Sequence, residues 1–278
     1  MKGASAAGLV LDSIGLRFGG VIALRDVSLT HFADEVLGVI GPNGAGKTSL
    51  INAITGIYPP TSGSITYNGV LLSGRSPETI VANGIARTFQ HNQLCGELTV
   101  RENVMLGCHR RLGYGMAKAA LGVGWARRAE RRLRAEVEPI LELLDLRDRA
   151  DDRADSLPYG LQKRVEIARA LALRPSTLLL DEPAAGTSEE DRRALIKIIQ
   201  HLKADASCSV LLIEHDVGMV MEVSDRVAVL DWGECLLVDT PAVVAADERV
   251  LAAYLGVDEA DLEGRSRSDL TAVPRSAP

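Results

Sequence analysis

The chain has 278 residues, of which 46% are hydrophobic, 24% charged and 4% aromatic, with a net charge of −6. That balance fits a soluble globular protein with enough aliphatic material for a sizeable core, as one large α/β domain or a core with a subdomain. It excludes a globally basic nucleic-acid binder, and no apolar run approaches the roughly 18–20 residues of a membrane span.

Four cysteines, Cys95, Cys108, Cys208 and Cys235, lack CxxC spacing and read as incidental thiols in a reducing compartment. The opening MKGASAAG has one lysine and no apolar h-region, so no secretory signal is expected and the cytoplasm is the expected location.

Residues 1–9 are small and weakly patterned and are expected to be flexible. The run 36–56, VLGVIGPNGAGKTSLINAITG, reads as an apolar strand, a glycine-rich loop and a helix carrying Leu50, Ile51 and Ile54 at helical spacing. In SGSITYNGV (62–70) alternation ends at Asn68-Gly69, which predicts a small antiparallel element beside the main sheet. Residues 113–154 are helix-rich, charged and interrupted by glycines. They mark a separate helical subdomain, assigned to about 93–154, between core segments 10–92 and 155–257.

STLLLDEP (176–183) and CSVLLIEHD (208–216) are short aliphatic strands of the kind buried on both faces of a parallel sheet. RVAVLDWGECLLV (226–238) reads as two strands joined around Asp231-Trp232-Gly233. From Asp258 to Pro278 the chain is polar and is expected to be disordered. No internal repeat is visible.

GPNGAGKT (41–48) fits G-x-x-x-x-G-K-[ST] in full and lies between a strand and a helix, the context that gives the pattern meaning. Its glycines let backbone N–H groups converge on phosphate oxygens at a helix N-terminus. The expected phosphate-binding residues are Gly41, Pro42, Asn43, Gly44, Ala45, Gly46, Lys47, Thr48 and Ser49. Lys47 is expected to reach the β- and γ-phosphates, and Thr48 to hold Mg²⁺. Asp181, ending a buried strand, is expected on the metal side, with Glu182 orienting or deprotonating the attacking water. A kinase would need an acceptor site and a lid, and neither is identifiable.

The phosphate loop, TFQ (88–90), LPYGLQKRVEIARAL (157–171), LLLDEP and IEHD follow one another in the order and rough spacing of an ABC-transporter ATPase subunit. Between Leu9 and Gly256 the chain resembles that family. RFGGVIALRDVSL, RTFQ…LTVRENV, EPAAG and the ending AAYLG are similar to the LivG type of branched-chain amino-acid importers.

The resemblance implies a P-loop (RecA-like) α/β core with an antiparallel β subdomain and an α-helical subdomain. It further implies that MgATP is bound and hydrolysed to drive a membrane transporter. Phe18 would stack on adenine, Gln90 would contact Mg²⁺ and the attacking water, and His215 would contact the γ-phosphate. Gly160, at the tip of the family's signature helix, would meet ATP held by a second ATPase subunit, LivF-like or a second copy. Two transmembrane permease subunits and, indirectly, a substrate-binding protein would complete the assembly on the inner face of the membrane.

The signature departs from the family's L-S-G-G-Q. Pro158 replaces the serine whose hydroxyl would meet the γ-phosphate, and Leu161 replaces the glutamine. The lost bond is worth about 1.5–3 kcal/mol if uncompensated. The chain's own phosphate loop, Asp181, Glu182 and His215 look intact, which implies two unequal sites in a heterodimer.

Export of the lipopolysaccharide type, transport of another solute, and a non-hydrolysing regulatory module stand as alternatives. Soluble ABC proteins of DNA repair or translation usually join two ATPase units or carry a long coiled coil, and neither is present. ARRAERRLR (126–134) reads as a solvated helix face, with anionic lipid headgroups or an acidic partner surface as the alternative; nucleic acid is not expected as a partner.

Overall fold

The first two strands pair with each other: β1 (Ala7–Phe18) and β2 (Val21–Phe32) run antiparallel, joined by a tight turn at Gly19-Gly20. The computed structural model describes residues 7–88, 94–108, 123–205 and 208–255. The strand reaches into the stretch expected to be loose, and Leu9 is fully buried, because its side chain enters the core between two sheets.

β4 (Ser62–Tyr67) and β5 (Val70–Leu71) complete a four-stranded antiparallel sheet in the order β2-β1-β4-β5. Asn68 and Gly69 both have positive φ, 49° and 80°, as a two-residue hairpin turn of matching twist requires.

The main sheet has six strands in the order β10-β9-β3-β8-β7-β6. They are β3 (Val36–Ile40), β6 (Ile85–Arg87), β7 (Thr177–Asp181), β8 (Ser209–Ile213), β9 (Arg226–Asp231) and β10 (Glu234–Asp239). All neighbours pair in parallel except β9 and β10, which form the hairpin expected around Trp232-Gly233. β3, β7 and β8 are buried along their whole length, which explains their unbroken aliphatic sequences.

Residues alternate between the two faces of these strands. On β7, Leu178 and Leu180 join one core, and Leu179 joins the other. The second core lies against α1 (Lys47–Ile54) and the antiparallel sheet. The first lies against α3 (Val100–Cys108), α4 (Val123–Leu143), α5 (Tyr159–Leu171) and α6 (Glu189–Asp205). α2 (Pro77–Ala82) precedes β6, α7 (Val217–Val223) follows β8, and α8 (Pro241–Ala246) and α9 (Glu248–Leu255) end the described chain.

Between β6 and β7 lie α3 and α4, where the helical subdomain was expected. The hydrogen bonds Val100 N to Asp152 O and Ala154 N to Leu98 O (both 3.0 Å) close its ends together. Along α4, Arg132 pairs with Glu136 and Arg134 with Glu130 one turn away, as on a solvated face. Arg127 of that stretch and the tail 258–278 lie outside the described side chains.

One expectation is corrected by the packing. The helical spacing of Leu161, Val165, Ala168 and Ala172 predicts a single buried stripe along α5, but the helix is buried nearly all round. α3, α4, α6 and β6 surround it, so Lys163, Arg164 and Glu166 are buried with the apolar residues, whereas Leu161 is only half-buried. The charges stay because they are paired: Lys163 with Glu166 at 3.4 Å, and Arg164 with Asp191 at 3.1 Å and Asp145 at 3.5 Å.

Candidate functional site

The loop between β3 and α1 is shaped by close contacts. Gly41 has φ 155°, and a Cβ there would strike the carbonyl of Leu230 on β9. Gly46 caps α1 at φ 100°, and an added Cβ would lie 2.8 Å from the Ala23 carbonyl of β2. The hairpin supports the loop from outside: Gly233 N donates to Ala45 O at 3.1 Å, and Arg25 N to Gly233 O at 2.7 Å. Strands of both sheets therefore fix the loop.

α1 starts without a side-chain cap and without an acid in its first turn, so its leading N–H groups remain available to an anion. Lys47 folds back over the loop, donating from Nζ to the carbonyls of Gly41 (2.6 Å) and Pro42 (3.0 Å). Burial lowers the pKa of its ammonium group, and nearby Glu182 opposes that shift. A phosphate would supply the negative charge that this buried cation and these amides lack.

A cavity of about 420 Å³ opens over the loop, lined by Val21, Ile22 and Ala23, by residues 43–49, and by Glu182 and His215. The structure thus brings the phosphate loop, one strand-end acid and the histidine together. A groove of about 500 Å³ between α4, α5 and α6 is larger, lined by Arg164, Arg193, Lys197 and His201 among others, but holds no phosphate cradle.

Glu182 leaves β7 with φ 49°, a left-handed conformation costly for a non-glycine residue, and Glu182 N is held by Ile213 O at 2.9 Å. Its Oε1 lies 2.7 Å from His215 Nε2, so that nitrogen carries the proton and donates to the carboxylate. His215 stands two residues after β8 and stays half-exposed, while Glu182 is mostly buried.

Asp181 is 2% exposed and lies behind the cavity lining, with Oδ2 2.7 Å from Arg87 Nη2. Arg87 Nη1 also donates to Asn52 Oδ1 of α1 at 2.7 Å. Phe18, at the end of β1, is half-exposed and meets Tyr58 edge-on at 4.9 Å, outside the cavity lining. Gln90 lies outside the described residues. Thr48 lines the cavity, and among the described residues no cluster of three His, Cys, Asp or Glu side chains forms a metal cage. A Mg²⁺ ion held by one hydroxyl, one acid and phosphate oxygens fits such a donor set.

Gly160 stands at the tip of α5, where a Cβ would enter the Asp191 carboxylate. Asp191 accepts from Ser188 Oγ at 2.7 Å and pairs with Arg164, so the signature tip is fitted to the start of α6 within this chain. Pro158 precedes α5 as its N-cap residue and supplies no side-chain cap.

Three side chains that touch the expected site residues escape sequence reasoning: Arg87, Asp191 and Glu214. Glu214 is buried and accepts from Ala184 N and His215 N. Burial pushes its carboxyl above the usual range, these bonds pull it down, and adjacent Glu182 adds to the rise. The only signal in sequence was proximity to recognised motifs.

Fold and cavity together define a P-loop ATPase of the cassette class, with a helical segment inserted between β6 and β7. The family model described as ABC transporter matches residues 24–185. The LivG high-affinity branched-chain amino acid transport ATP-binding protein of Salmonella typhimurium is 39% identical over 248 residues, spanning 89% of this chain and 97% of the relative. Its BraF counterpart from Pseudomonas aeruginosa is 38% identical over the same coverage. An ATP-binding cassette of an ABC transporter in its ADP conformation superposes with TM-score 0.79 at 30% identity, covering 91% of this chain and 100% of that one. The chain belongs to the ATP-binding subunits of the ABC transporter family. It binds ATP, and its activity is the ATP hydrolysis that powers a transporter. Among the described residues no helix is long and apolar enough to cross a membrane.

Proposed function

We propose that this subunit powers import of branched-chain or related amino acids, hydrolysing ATP with Glu182 as the base toward the attacking water. The observation that carries the chemistry is the 2.7 Å contact of His215 with Glu182 at the mouth of the phosphate-loop cavity. His215 orients the carboxylate by donating to one oxygen and leaves the other for water. Lys47 and the leading amides of α1 bind the β- and γ-phosphates across residues Gly41 to Ser49. Phe18 offers a ring face to adenine, braced by Tyr58.

Mg²⁺ neutralises phosphate charge when bound, with Thr48, Asp181 and Gln90 as its protein-side partners. The amino-acid class rests on the names and near-full-length similarity of the LivG and BraF relatives. In this reading, residues 10–92 and 155–257, extended by the start of β1 from Ala7, form the core, about 93–154 the helical subdomain, and 258–278 the tail.

Partners follow from the same reading: a second ATPase subunit packed head to tail, two permease subunits and, through them, a substrate-binding protein, with the assembly on the inner membrane face. Pro158 carries no hydroxyl toward a neighbour's γ-phosphate, which favours a LivF-like second subunit over a second copy. The site built on this chain's Glu182 then does most of the hydrolysis.

Uptake of labelled leucine by cells deleted for this chain tests the proposal. Complementation by wild type and not by Glu182→Gln is expected. Unchanged uptake on deletion would overturn the amino-acid assignment, and full uptake with Glu182→Gln would overturn the role of Glu182.

A further inference from the structure

β7 and β8 are parallel neighbours with Asp181 opposite Ile213, so the next residues on each strand, Glu182 and Glu214, leave the sheet side by side. Glu182 turns into the cavity. Glu214 turns inward, is 3% exposed, and among the described residues forms no ion pair. A buried carboxylate without a counter-ion is costly and persists only where hydrogen bonds replace water.

Both oxygens are used. Oε1 accepts from Ala184 N at 2.7 Å, two residues beyond Glu182, and Oε2 accepts from His215 N at 3.1 Å. One side chain therefore links the loop that carries the base to the loop that carries the imidazole.

We infer that Glu214 is a positioning residue for hydrolysis, a two-oxygen clamp that sets the His215–Glu182 geometry from behind. This deepens the assignment of Glu182 and His215 given above and rests on it. The left-handed turn at Glu182 is held locally by its own N–H on Ile213 O at 2.9 Å and by Ala185 N on Glu182 O at 3.2 Å. The bond from Ala184 to Glu214 adds a buried link to the other loop, behind the exposed His215–Glu182 contact.

Beyond Ala184 the same loop continues to Ser188 and enters α6, whose Asp191 seats the signature tip at Gly160. A displacement of Ala184 would therefore be felt at the site and at the surface offered to the second subunit. The clamp needs an acceptor at both ends and a donor at neither, a demand met by carboxylate alone. A glutamine supplies one acceptor and sets its NH₂ against an amide N–H.

The test compares the full-length wild type with Glu214→Gln, Glu214→Ala and Glu182→Gln in MgATP hydrolysis, equilibrium nucleotide binding and amide hydrogen exchange. Glu214→Gln is expected to lower kcat at least tenfold with KM and ATP affinity within twofold. Exchange at Ala184 and His215 should accelerate tenfold or more, while the β8 amides Val210–Leu212 stay protected. Exchange needs no turnover, so it decides the matter even where the isolated chain hydrolyses slowly.

Wild-type kcat or unchanged exchange in Glu214→Gln overturns the clamp, and so does a parallel loss of ATP affinity, which would mark general damage to the fold. Turnover surviving in Glu182→Gln would instead overturn the underlying site assignment. The two failures are thus distinct.

Discussion

Arg87 Nη2 lies 2.7 Å from Asp181 Oδ2, joining the end of β6 to the end of β7 with both side chains almost fully buried. The same guanidinium reaches Asn52 on α1, the helix that follows the phosphate loop. The buried acid proposed for the metal side is thus paired with, and aimed by, a cation of the chain itself.

Removing that cation should be expensive. Arg87→Met leaves the Asp181 carboxylate buried without its partner, and the expected loss is about 3–5 kcal/mol of stability in urea unfolding. Adding Asp181→Asn should recover much of it, because the second change removes the stranded charge. Additive effects in that double-mutant cycle would show that the pair contributes nothing as a pair.

His31 gives the fold an acid sensitivity. It is fully buried on β2, and desolvation lowers its pKa to about 4. A group depressed in the folded state contributes stability that is complete above its unfolded pKa near 6.5. That contribution falls away as pH drops from about 6.5 through 4, by about 3 kcal/mol in all. Glu35, raised chiefly by burial, acts in the opposite sense, losing stability as pH rises above the ordinary carboxylate range. The difference between wild type and His31→Gln isolates the histidine. Its urea-midpoint gap should shrink from pH 7.5 to pH 5, and a constant gap would contradict the assignment.

Gly160 tests whether the signature tip is shaped by its own chain. Gly160→Ala drives a methyl into the Asp191 carboxylate, and about 1–3 kcal/mol of destabilisation is expected. In an Asp191→Ala background the same substitution should cost well under half as much. Equal costs in both backgrounds, measured by thermal unfolding, would refute the steric account.

Lys47 is bonded to its own loop carbonyls and has to exchange them for phosphate oxygens. Lys47→Met should weaken ATP binding about 10- to 100-fold, the equivalent of one charge-assisted bond, with an unchanged melting temperature. Equilibrium titration with a fluorescent ATP analogue checks this, and a change under twofold would refute the role of the lysine.

Much of the architecture was legible because its signals are local. The phosphate loop announces itself within eight residues, Asn68-Gly69 marks its hairpin, and the strands around Leu178–Leu180 and Val210–Leu212 are aliphatic because both faces are covered. What stayed hidden depends on distant contacts. Arg87 meets Asp181 across 94 residues, and Ala184 meets Glu214 across 30.

The pairing of β1 with β2 was obscured for another reason. Irregular register and the left-handed residues Ser13 and Asp26, both at φ 52°, interrupt the simple alternation by which a strand is recognised. For α5, periodicity failed because neighbours on every side bury charged and apolar positions alike.

The β9–β10 hairpin also supplies an optical probe. Trp232 sits at its tip with 85% of its surface open to water, and the next residue is bonded to the phosphate loop through Ala45. The sequence holds two tryptophans, so Trp125→Phe leaves one indole, whose emission reports on the loop's outer support without any attached dye. Occupancy of the cavity can then be followed in the unlabelled protein as a change in the colour and brightness of its own light.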